Sequence, residues 1–452
     1  MIGADTRASL AHPPIVGISC IGEVSVSVRD ADTIVSATAT HSKTTAHEHS
    51  TMITLHTIAA RTAACTLTAL LAPAALAGNG WTITVVELGE LPGGIASSGF
   101  ALNDNGMVAG TSMDANGQNR TVRWINGQIE LLTPLNPSGL NIPEDMNDAG
   151  EIAGRVNAGF GITYGMYWNP QGQPFALDGL PNGVPQFVLA RAINESGTIV
   201  GRAQESAPTM YGHAAVWNGS ALASDLGFMG GGTYSEAYGI NAHGDVVGVA
   251  AIANTNQHAF LWTNGQYTDL SLWPGGAASS RAHAINDAGV IVGINAGKAT
   301  IWKNGAASFL PMPQGVSAFA PAIDINSAGD VIATATTIFP IETGVVWKDG
   351  VPMKLPPLPG GTITRARRIN DAGTVVGESN AADGFFHAVI WVIEPETPPN
   401  PADLDGDGAV GAADLSMLLG AWGACGAACP ADLDGDGAVG AADLSILLGA
   451  WG

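Results

Sequence analysis

AINDAGVIVG, at residues 284–293, is one of seven related phrases that decide the fold of this chain. The other six begin at residues 101, 145, 192, 239, 324 and 368, and a tryptophan follows each phrase. Self-similarity at a period of about 45 residues is typical of repeat proteins. The phrase asparagines are Asn103, Asn147, Asn194, Asn241, Asn286, Asn326 and Asn370, and the tryptophans are Trp124, Trp168, Trp217, Trp262, Trp302, Trp347 and Trp391.

Each copy predicts four short strands. An apolar-alternating run ends at the asparagine, and a Val/Ile-rich run follows the glycine, which predicts a hairpin because Asn and Gly tolerate positive φ. A third strand carries the tryptophan, and Asn-Gly or Asp-Gly then turns the chain into a fourth, as in TNGQYTDLSL at 263. Repeated four-stranded units are the signature of a propeller. The fold class predicted for residues 78–393 is therefore an all-β, seven-bladed propeller.

The two ends of the repeat array predict a closed ring. The seventh copy stops after its Trp391 strand, without a fourth strand of its own. The segment that begins at Trp81, upstream of the first copy, resembles the fourth-strand ends of the other copies. We therefore expect Thr82 to Leu91 to pair beside the strand of Trp391 and complete the last blade.

The phrases and their third strands resemble the extracellular HAF repeat family. The resemblance rests on the NDAG turns and on HAAVW at 213, HAFLW at 258 and HAVIW at 387, and it covers residues 93 to 393. It implies an exported, β-propeller-like domain. The family implies no agreed chemistry.

Composition and the N-terminal segment bear on location and partners. The formal net charge of −22 argues against a nucleic-acid partner, because no basic face can release phosphate counterions. Residues 52–77 combine Arg61, an apolar stretch and the Ala75-x-Ala77 pattern of a secretory signal peptide. We expect a mature chain that begins near Gly78, is secreted or associated with the cell surface, and has no membrane span. Residues 1–51 are then a misassigned start or a disordered leader.

Charged and aromatic residues collect on the innermost strands, three and five positions before the asparagines. Facing a central channel, they would hold an anionic ligand or a glycan, since arginine presents a fixed fork of donors. Alternatively, they pair with one another across neighbouring blades. These candidate ligand-binding residues are Glu144, Arg191, Glu236, Tyr238, Arg281, His283, Arg365 and Arg367.

The sequence gives little support for a catalytic function. The metalloprotease, hydrolase-elbow, P-loop and Rossmann phrases do not stand in their required contexts. If the chain is an enzyme, the alternative is a hydrolase of polysaccharide glycosidic bonds with its catalytic carboxylates on propeller loops. It would need two carboxylates set apart across a cleft, for instance Glu144 with Glu236. The seven repeated tryptophans are expected to pack in the core, whereas Trp81 and Trp273 are candidates for exposed aromatic contacts.

A duplicated acidic segment follows a Pro-rich linker at 394–401. PADLDGDGAVGAADLS occurs at 401 and again at 430, with aspartates at positions one, three, five and twelve of a twelve-residue loop. Clustered carboxylates at this spacing suit a hard cation that prefers oxygen ligands, so we expect two Ca²⁺ sites. The ligands would be Asp403, Asp405, Asp407, the Ala409 carbonyl and Asp414, and then Asp432, Asp434, Asp436, the Ala438 carbonyl and Asp443.

This segment, 402–452, resembles a type I dockerin, with Asp at position twelve of each loop. The resemblance implies a small all-α, calcium-loop domain that docks to a cohesin. The sequence departs from that family just before position twelve, where Ala412-Ala413 and Ala441-Ala442 replace a Ser-Thr-like pair. A standard cohesin, a cohesin-like or cell-surface partner, and a purely structural role for calcium all stay open.

Cleavage at residue 77 would leave Cys425 and Cys429 as the cysteines of the exported chain, which suggests one disulfide. The leading hypothesis is a secreted, non-catalytic propeller that binds an extracellular ligand and carries a calcium-dependent tail for assembly.

Overall fold

The computed structural model describes residues 75–78, 80–159, 162–181, 183–219, 222–253, 257–317, 319–338, 341–396, 400–425 and 429–451. The predicted leader at 1–51 and all but the last residues of the predicted signal peptide at 52–77 lie outside these ranges. Within them, no helix is both long and apolar enough to cross a bilayer.

Each repeat folds into one antiparallel, four-stranded unit. Two strands precede the repeats, β1 (Ala75–Gly78) and β2 (Trp81–Glu87). The first three units are β3 (Ser97–Leu102), β4 (Val108–Met113), β5 (Asn119–Ile125), β6 (Gln128–Leu131); β7 (Leu140–Met146), β8 (Ile152–Gly159), β9 (Ile162–Trp168), β10 (Pro174–Ala176); and β11 (Gly183–Ile193), β12 (Thr198–Glu205), β13 (Gly212–Asn218), β14 (Ser224–Asp225).

The remaining units follow the same order, from the innermost strand outwards. They are β15 (Tyr234–Ile240), β16 (Val246–Ala251), β17 (Gln257–Thr263), β18 (Gln266–Asp269); β19 (Ser280–Ile285), β20 (Ile291–Asn295), β21 (Lys298–Lys303), β22 (Ala306–Phe309); β23 (Ala322–Ile325), β24 (Val331–Ile338), β25 (Ile341–Lys348), β26 (Val351–Lys354); and β27 (Thr364–Ile369), β28 (Val375–Asn380), β29 (Phe386–Pro395), which β2 completes.

The prediction of a seven-bladed propeller is wrong. Among the described residues, five units form sheets of their own, whereas the third and fourth units share one eight-stranded sheet. The link is a parallel pair between Gly212 of β13 and Tyr234 of β15. Gly212 permits this approach, because a Cβ there would lie 3.3 Å from the Tyr234 ring. The described propeller therefore consists of six hydrogen-bonded sheets.

The chain closes on itself as the sequence predicts. Strand β2 pairs antiparallel with β29, with Val85 opposite Trp391. The pairing covers Trp81–Glu87 and not the whole of the predicted stretch to Leu91. Strand β1, which includes the predicted end of the signal peptide, adds to the outer edge of β2. Strand β29 reaches Pro395, so the propeller extends two residues into the predicted linker.

The phrase asparagines form a hydrogen-bonded ring. In every repeat the side-chain amide nitrogen donates to the backbone carbonyl of the asparagine in the next repeat, at 2.9–3.3 Å. The last bond joins Asn370 to the carbonyl of Asn103, at 3.1 Å, and closes the ring. Each side-chain oxygen accepts a backbone N–H four residues on, as from Thr374 to Asn370 at 2.9 Å. Positive φ falls on the phrase glycine, such as Gly373, and not on the asparagine.

The repeated tryptophans pack in the core, as predicted. Six of the seven are fully buried, and Trp262 is half-buried. Trp168 donates its indole N–H to the carbonyl of Thr133, which follows the fourth strand of the preceding repeat, at 2.7 Å. The last glycine of the phrase makes room for this ring in three repeats, at Gly110, Gly154 and Gly377; a Cβ at Gly154, for example, would lie 2.8 Å from Trp168. Tryptophan thus joins adjacent units.

The C-terminal segment contains α1 (Ala412–Gly420), β30 (Gly423–Ala424), β31 (Ala438–Val439) and α2 (Ala441–Gly449). The expected all-α domain therefore also contains a short antiparallel strand pair. Its core includes four equivalent residues of the two copies, Val410 and Leu418 with Val439 and Leu447.

Replacing Asn370 with alanine should destabilise the propeller. The change removes the bond to Asn103 and leaves the Thr374 N–H without its acceptor, and an unsatisfied buried group costs about 1–3 kcal/mol. Chemical denaturation measures the loss. The control is Asn116→Ala at an exposed turn, for which we expect a change within about 0.5 kcal/mol. Equal stabilities of the two variants would contradict the role of the ring.

Candidate functional sites

The innermost strand of every unit contains a β-bulge three residues before the asparagine. Between Ala366 and Arg368, for example, the extra residue is Arg367. Residues two before the asparagine contribute to the small cavities along the channel. Sequence analysis did not single out this position. It carries small residues in four repeats and charged ones in three: Ala101, Asp145, Ala192, Gly239, Ala284, Asp324 and Arg368.

Arg368 crosses the channel from the seventh repeat to the second. Its Nε lies 3.1 Å from Asp145, and its Nη2 donates to the Glu144 carbonyl at 2.8 Å. Burial disfavours charge on the guanidinium, but the carboxylates of Asp145 and Asp324 outweigh burial and raise the pKa of Arg368. Burial in turn raises the pKa of Asp324 to about 6. The channel is therefore occupied by the protein's own charged side chains.

Arg191 connects the two glutamates that the sequence offers as a catalytic pair. Its guanidinium lies 2.7 Å from Glu236 and 4.0 Å from Glu144, which also pairs with Arg155. Burial opposes the charge of Glu236, but Arg191, Tyr234 and Arg202 together outweigh burial and lower the pKa of Glu236. Both glutamates are paired with arginines, an arrangement that does not support glycoside hydrolysis.

The other candidate ligand residues also contact one another. Tyr238 lies between the guanidinium groups of Arg191 and Arg281, 5.4 and 5.5 Å from its ring, and meets His283 edge to face. His283 Nδ1 lies 2.7 Å from the carbonyl of Ala322. Burial, together with nearby arginines, lowers the pKa of His283 to about 4.

Arg365 and Arg367 make the same kind of pairing in the last repeat. They lie 2.8 and 3.3 Å from the buried carboxylate of Glu378. Arg365 also pairs with Glu342, and Arg367 lies 5.4 Å from the ring of Phe100. Six of the predicted ligand residues thus contact one another across neighbouring repeats, which is the alternative left open by the sequence. Arg365 and Arg367 instead pair with Glu378 of their own repeat.

Several cavities among the described residues open to solvent, including one at the channel mouth and one between the first two repeats. One, of about 220 Å³, lies at the channel mouth beside the asparagine ring and is bordered by carboxylates such as Asp104, Asp148 and Glu195. Each accepts a neighbouring backbone N–H, as Asp104 does from Asp371 at 2.7 Å. The other, of about 930 Å³, lies between the first two repeats, against the exposed Leu131.

Trp81 and Trp273, which the sequence suggests for exposed aromatic contacts, are half-buried. Trp81 packs on the core of the seventh repeat and lies 4.9 Å from the Lys348 ammonium group. Trp273 packs on the core of the fifth. The tryptophans that are about half exposed are Trp422 and Trp451, in the C-terminal segment.

The C-terminal loops bring most of the predicted metal ligands together. Carboxylate oxygens of Asp403, Asp405 and Asp414 all lie within 4.8 Å of one another. The second loop repeats this arrangement with Asp432, Asp434 and Asp443. Asp407 and Asp436 are outside these groups, and their carboxylates instead accept the N–H groups of Ala409 and Ala438, at 2.9 Å in both loops.

Cys425 and Cys429 are free thiols in the structure, and the suggested disulfide is not formed. Their thiols are hydrogen-bonded to each other, and this contact, with burial, raises the pKa of Cys425 to about 11.

These observations define a β-propeller protein with an acidic C-terminal module. No protein-family model and no curated protein sequence matches the chain. A puromycin hydrolase S511A mutant complexed with PGG is 13% identical (TM-score 0.47), and the match covers 65% of this chain and 53% of that one. A prolyl endopeptidase is 10% identical (TM-score 0.46; 68% and 51% covered). The β-propeller domain of the Trilobed protease from Pyrococcus furiosus is 13% identical (TM-score 0.45; 67% and 100% covered).

The chain spans about half the length of the first two of these proteins. At this level of similarity they do not assign an activity, and the propeller fold follows from the strand topology.

Replacing His283 with asparagine should reduce acid sensitivity. The folded protein binds this proton only near pH 4, whereas an unfolded histidine binds it near pH 6.5. Stability therefore falls as the pH drops from about 6.5 to 4, by up to about 3 kcal/mol. Denaturation across this range should show a smaller loss for His283→Asn than for the wild type. His243→Asn, at an exposed turn, should follow the wild type. Parallel pH profiles of His283→Asn and wild type would contradict this account.

Proposed function

We propose that this chain is an exported assembly protein, whose C-terminal module folds around two calcium ions and docks onto a partner. One observation carries the proposal. Two near-identical loops each gather three carboxylates, and the helix after each loop exposes the same apolar positions. The propeller is then the domain that this module attaches to other extracellular components.

The charge of the module calls for a cation. Residues 400–451 contain eight aspartates and no lysine, arginine or histidine. Three carboxylates within 4.8 Å repel one another unless a cation lies between them. The donors are all oxygens on a flexible twelve-residue loop, which suits Ca²⁺ better than Mg²⁺, because Mg²⁺ demands near-ideal octahedral geometry.

The loop backbone is shaped for such an ion. Gly406 and Gly408 take positive φ, and their N–H groups donate to the Asp403 carboxylate at 2.8 and 2.9 Å. Asp414, in the first turn of α1, accepts N–H groups from Leu404 and Gly411. These backbone donors, that of Gly411 first, hold the pKa of Asp414 below its usual range. The carboxylate is thus ionised and fixed where the loop meets the helix.

The exposed helix positions supply a docking surface. Leu418 of α1 is buried, whereas Leu419 and Trp422 are about half exposed. The dockerin resemblance favours recognition of another protein, and the alanine pairs at 412–413 and 441–442 favour an apolar contact over a standard cohesin interface. The equivalent exposed residues are Met417, Leu419 and Trp422 in the first copy and Ile446, Leu448 and Trp451 in the second.

An enzymatic role is less well supported. The glutamates suggested for glycoside hydrolysis are paired with arginines, and the channel is filled by Arg368 and its aspartates. We therefore favour binding and assembly over catalysis.

Calorimetric titration of the full chain with Ca²⁺ should show two equivalents bound. Asp403→Asn and Asp432→Asn should each remove one, because each variant loses a first-position carboxylate from one loop. Asp349→Asn is the matched control, since Asn occupies the same turn in other repeats, as at Asn264. It should keep both equivalents.

Chelation should also abolish the helical circular dichroism signal of α1 and α2 and leave the β signal of the propeller intact. Absence of calcium heat, or a spectrum that chelation does not change, would overturn the calcium assignment.

A further inference from the structure

His387 lies where the N-terminal strand β2 meets the last repeat, and three carboxylates surround it. Its Nδ1 is 2.9 Å from Glu90 and 3.0 Å from Glu87 at the end of β2. Its Nε2 is 3.1 Å from Asp383. The ligand atoms of His387, Glu87 and Glu90 all lie within 4.8 Å of one another.

The two ring nitrogens of His387 have different surroundings. Nε2 lies 3.1 Å from Asp383, a carboxylate in position to orient the ring. Nδ1 faces the carboxylates of Glu87 and Glu90 at once. A single proton on Nδ1 can be shared along one N–H direction only, whereas a divalent cation can bind the imidazole nitrogen and both carboxylates together.

Other repeats show that this arrangement is special to the closure. The equivalent His258, in the fourth repeat, has Asp269 beside Nδ1 at 2.8 Å. The equivalent His213, in the third, has Asp225 beside Nδ1 and Glu205 beside Nε2, both at 2.9 Å. In both repeats Nδ1 faces a single carboxylate, which comes from the fourth strand. In the last repeat β2 takes the place of the fourth strand, and it brings Glu87 and Glu90 to the same nitrogen.

We propose that His387, Glu87 and Glu90 form a binding site for a divalent transition-metal ion of the Zn²⁺ class, with Asp383 as the carboxylate that orients the histidine. One imidazole and two carboxylates suit Zn²⁺, and such a three-residue site keeps a position for water. Solvent reaches the site, because the Glu87 and Asp383 side chains are 43% and 49% exposed. Ser97 donates to Glu90 at 2.8 Å and holds it in place.

This ion would connect the two ends of the propeller. Glu87 belongs to β2 and His387 to β29, so one metal would bind both closing strands. A ligand that binds only the folded state stabilises that state. The metal therefore strengthens closure and is separate from the calcium proposed for the C-terminal loops.

The test is titration of the full chain with Zn²⁺, in the presence of saturating Ca²⁺ and in a Cys425→Ser, Cys429→Ser background. Calcium occupies the acidic loops, and the serines remove the thiols as zinc ligands. We expect one equivalent of Zn²⁺ and a rise in the melting temperature of the propeller. Co²⁺ should give the visible absorption of a four- or five-coordinate site.

The variants locate the ion. Glu87→Gln, at an exposed side chain that tolerates the change, should weaken Zn²⁺ binding at least tenfold, and His387→Ala should abolish it. Asp383→Asn should cost about 10–100-fold. His258→Ala is the matched control and should keep both the affinity and the melting shift. Failure to bind Zn²⁺, or equal affinities for the parent, Glu87→Gln and His387→Ala, would overturn the site.

Discussion

The side-chain amide of the phrase asparagine is the interaction on which the propeller depends. Its oxygen shapes the turn of its own repeat, and its nitrogen reaches the backbone of the next one. The same side chain therefore fixes the turn of its own repeat and connects that repeat to the next one in the ring. Aspartate or serine at this position would supply the acceptor without the amide donor. This dual requirement accounts for asparagine in all seven phrases of a chain that diverges widely elsewhere.

Packing against the channel axis imposes the second constraint. At the position two before the asparagine, four repeats have alanine or glycine. The other three have Asp145, Asp324 and Arg368. Arg368 pairs with Asp145, and the charges of Asp145 and Asp324 both favour its ionised form. The metal sites that we propose all lie away from the axis, at the closing strands and in the C-terminal module.

Sequence reasoning reached the features that depend on local pattern. It identified the repeats, the buried tryptophans and the pairing of β2 with β29, because each shows directly in spacing and hydrophobicity. It also identified the aspartates that cluster in the C-terminal loops. It missed Arg368 because a bulge in each innermost strand changes which position faces the channel, and no spacing reveals a bulge in advance. It missed the shared sheet because that depends on one close approach at Gly212.

Thermal unfolding of two shortened chains tests the closed ring most directly. A chain that begins at Gly80 lacks β1 and the residues before it, and it should melt like the full-length protein. One that begins at Leu88 also lacks β2, and with it the buried Ile83 and Val85, so the edge of β29 is exposed. Each lost side chain costs about 1.5–3 kcal/mol, so this chain should melt at least about 5 °C lower. Equal melting temperatures for the two chains would contradict closure by β2.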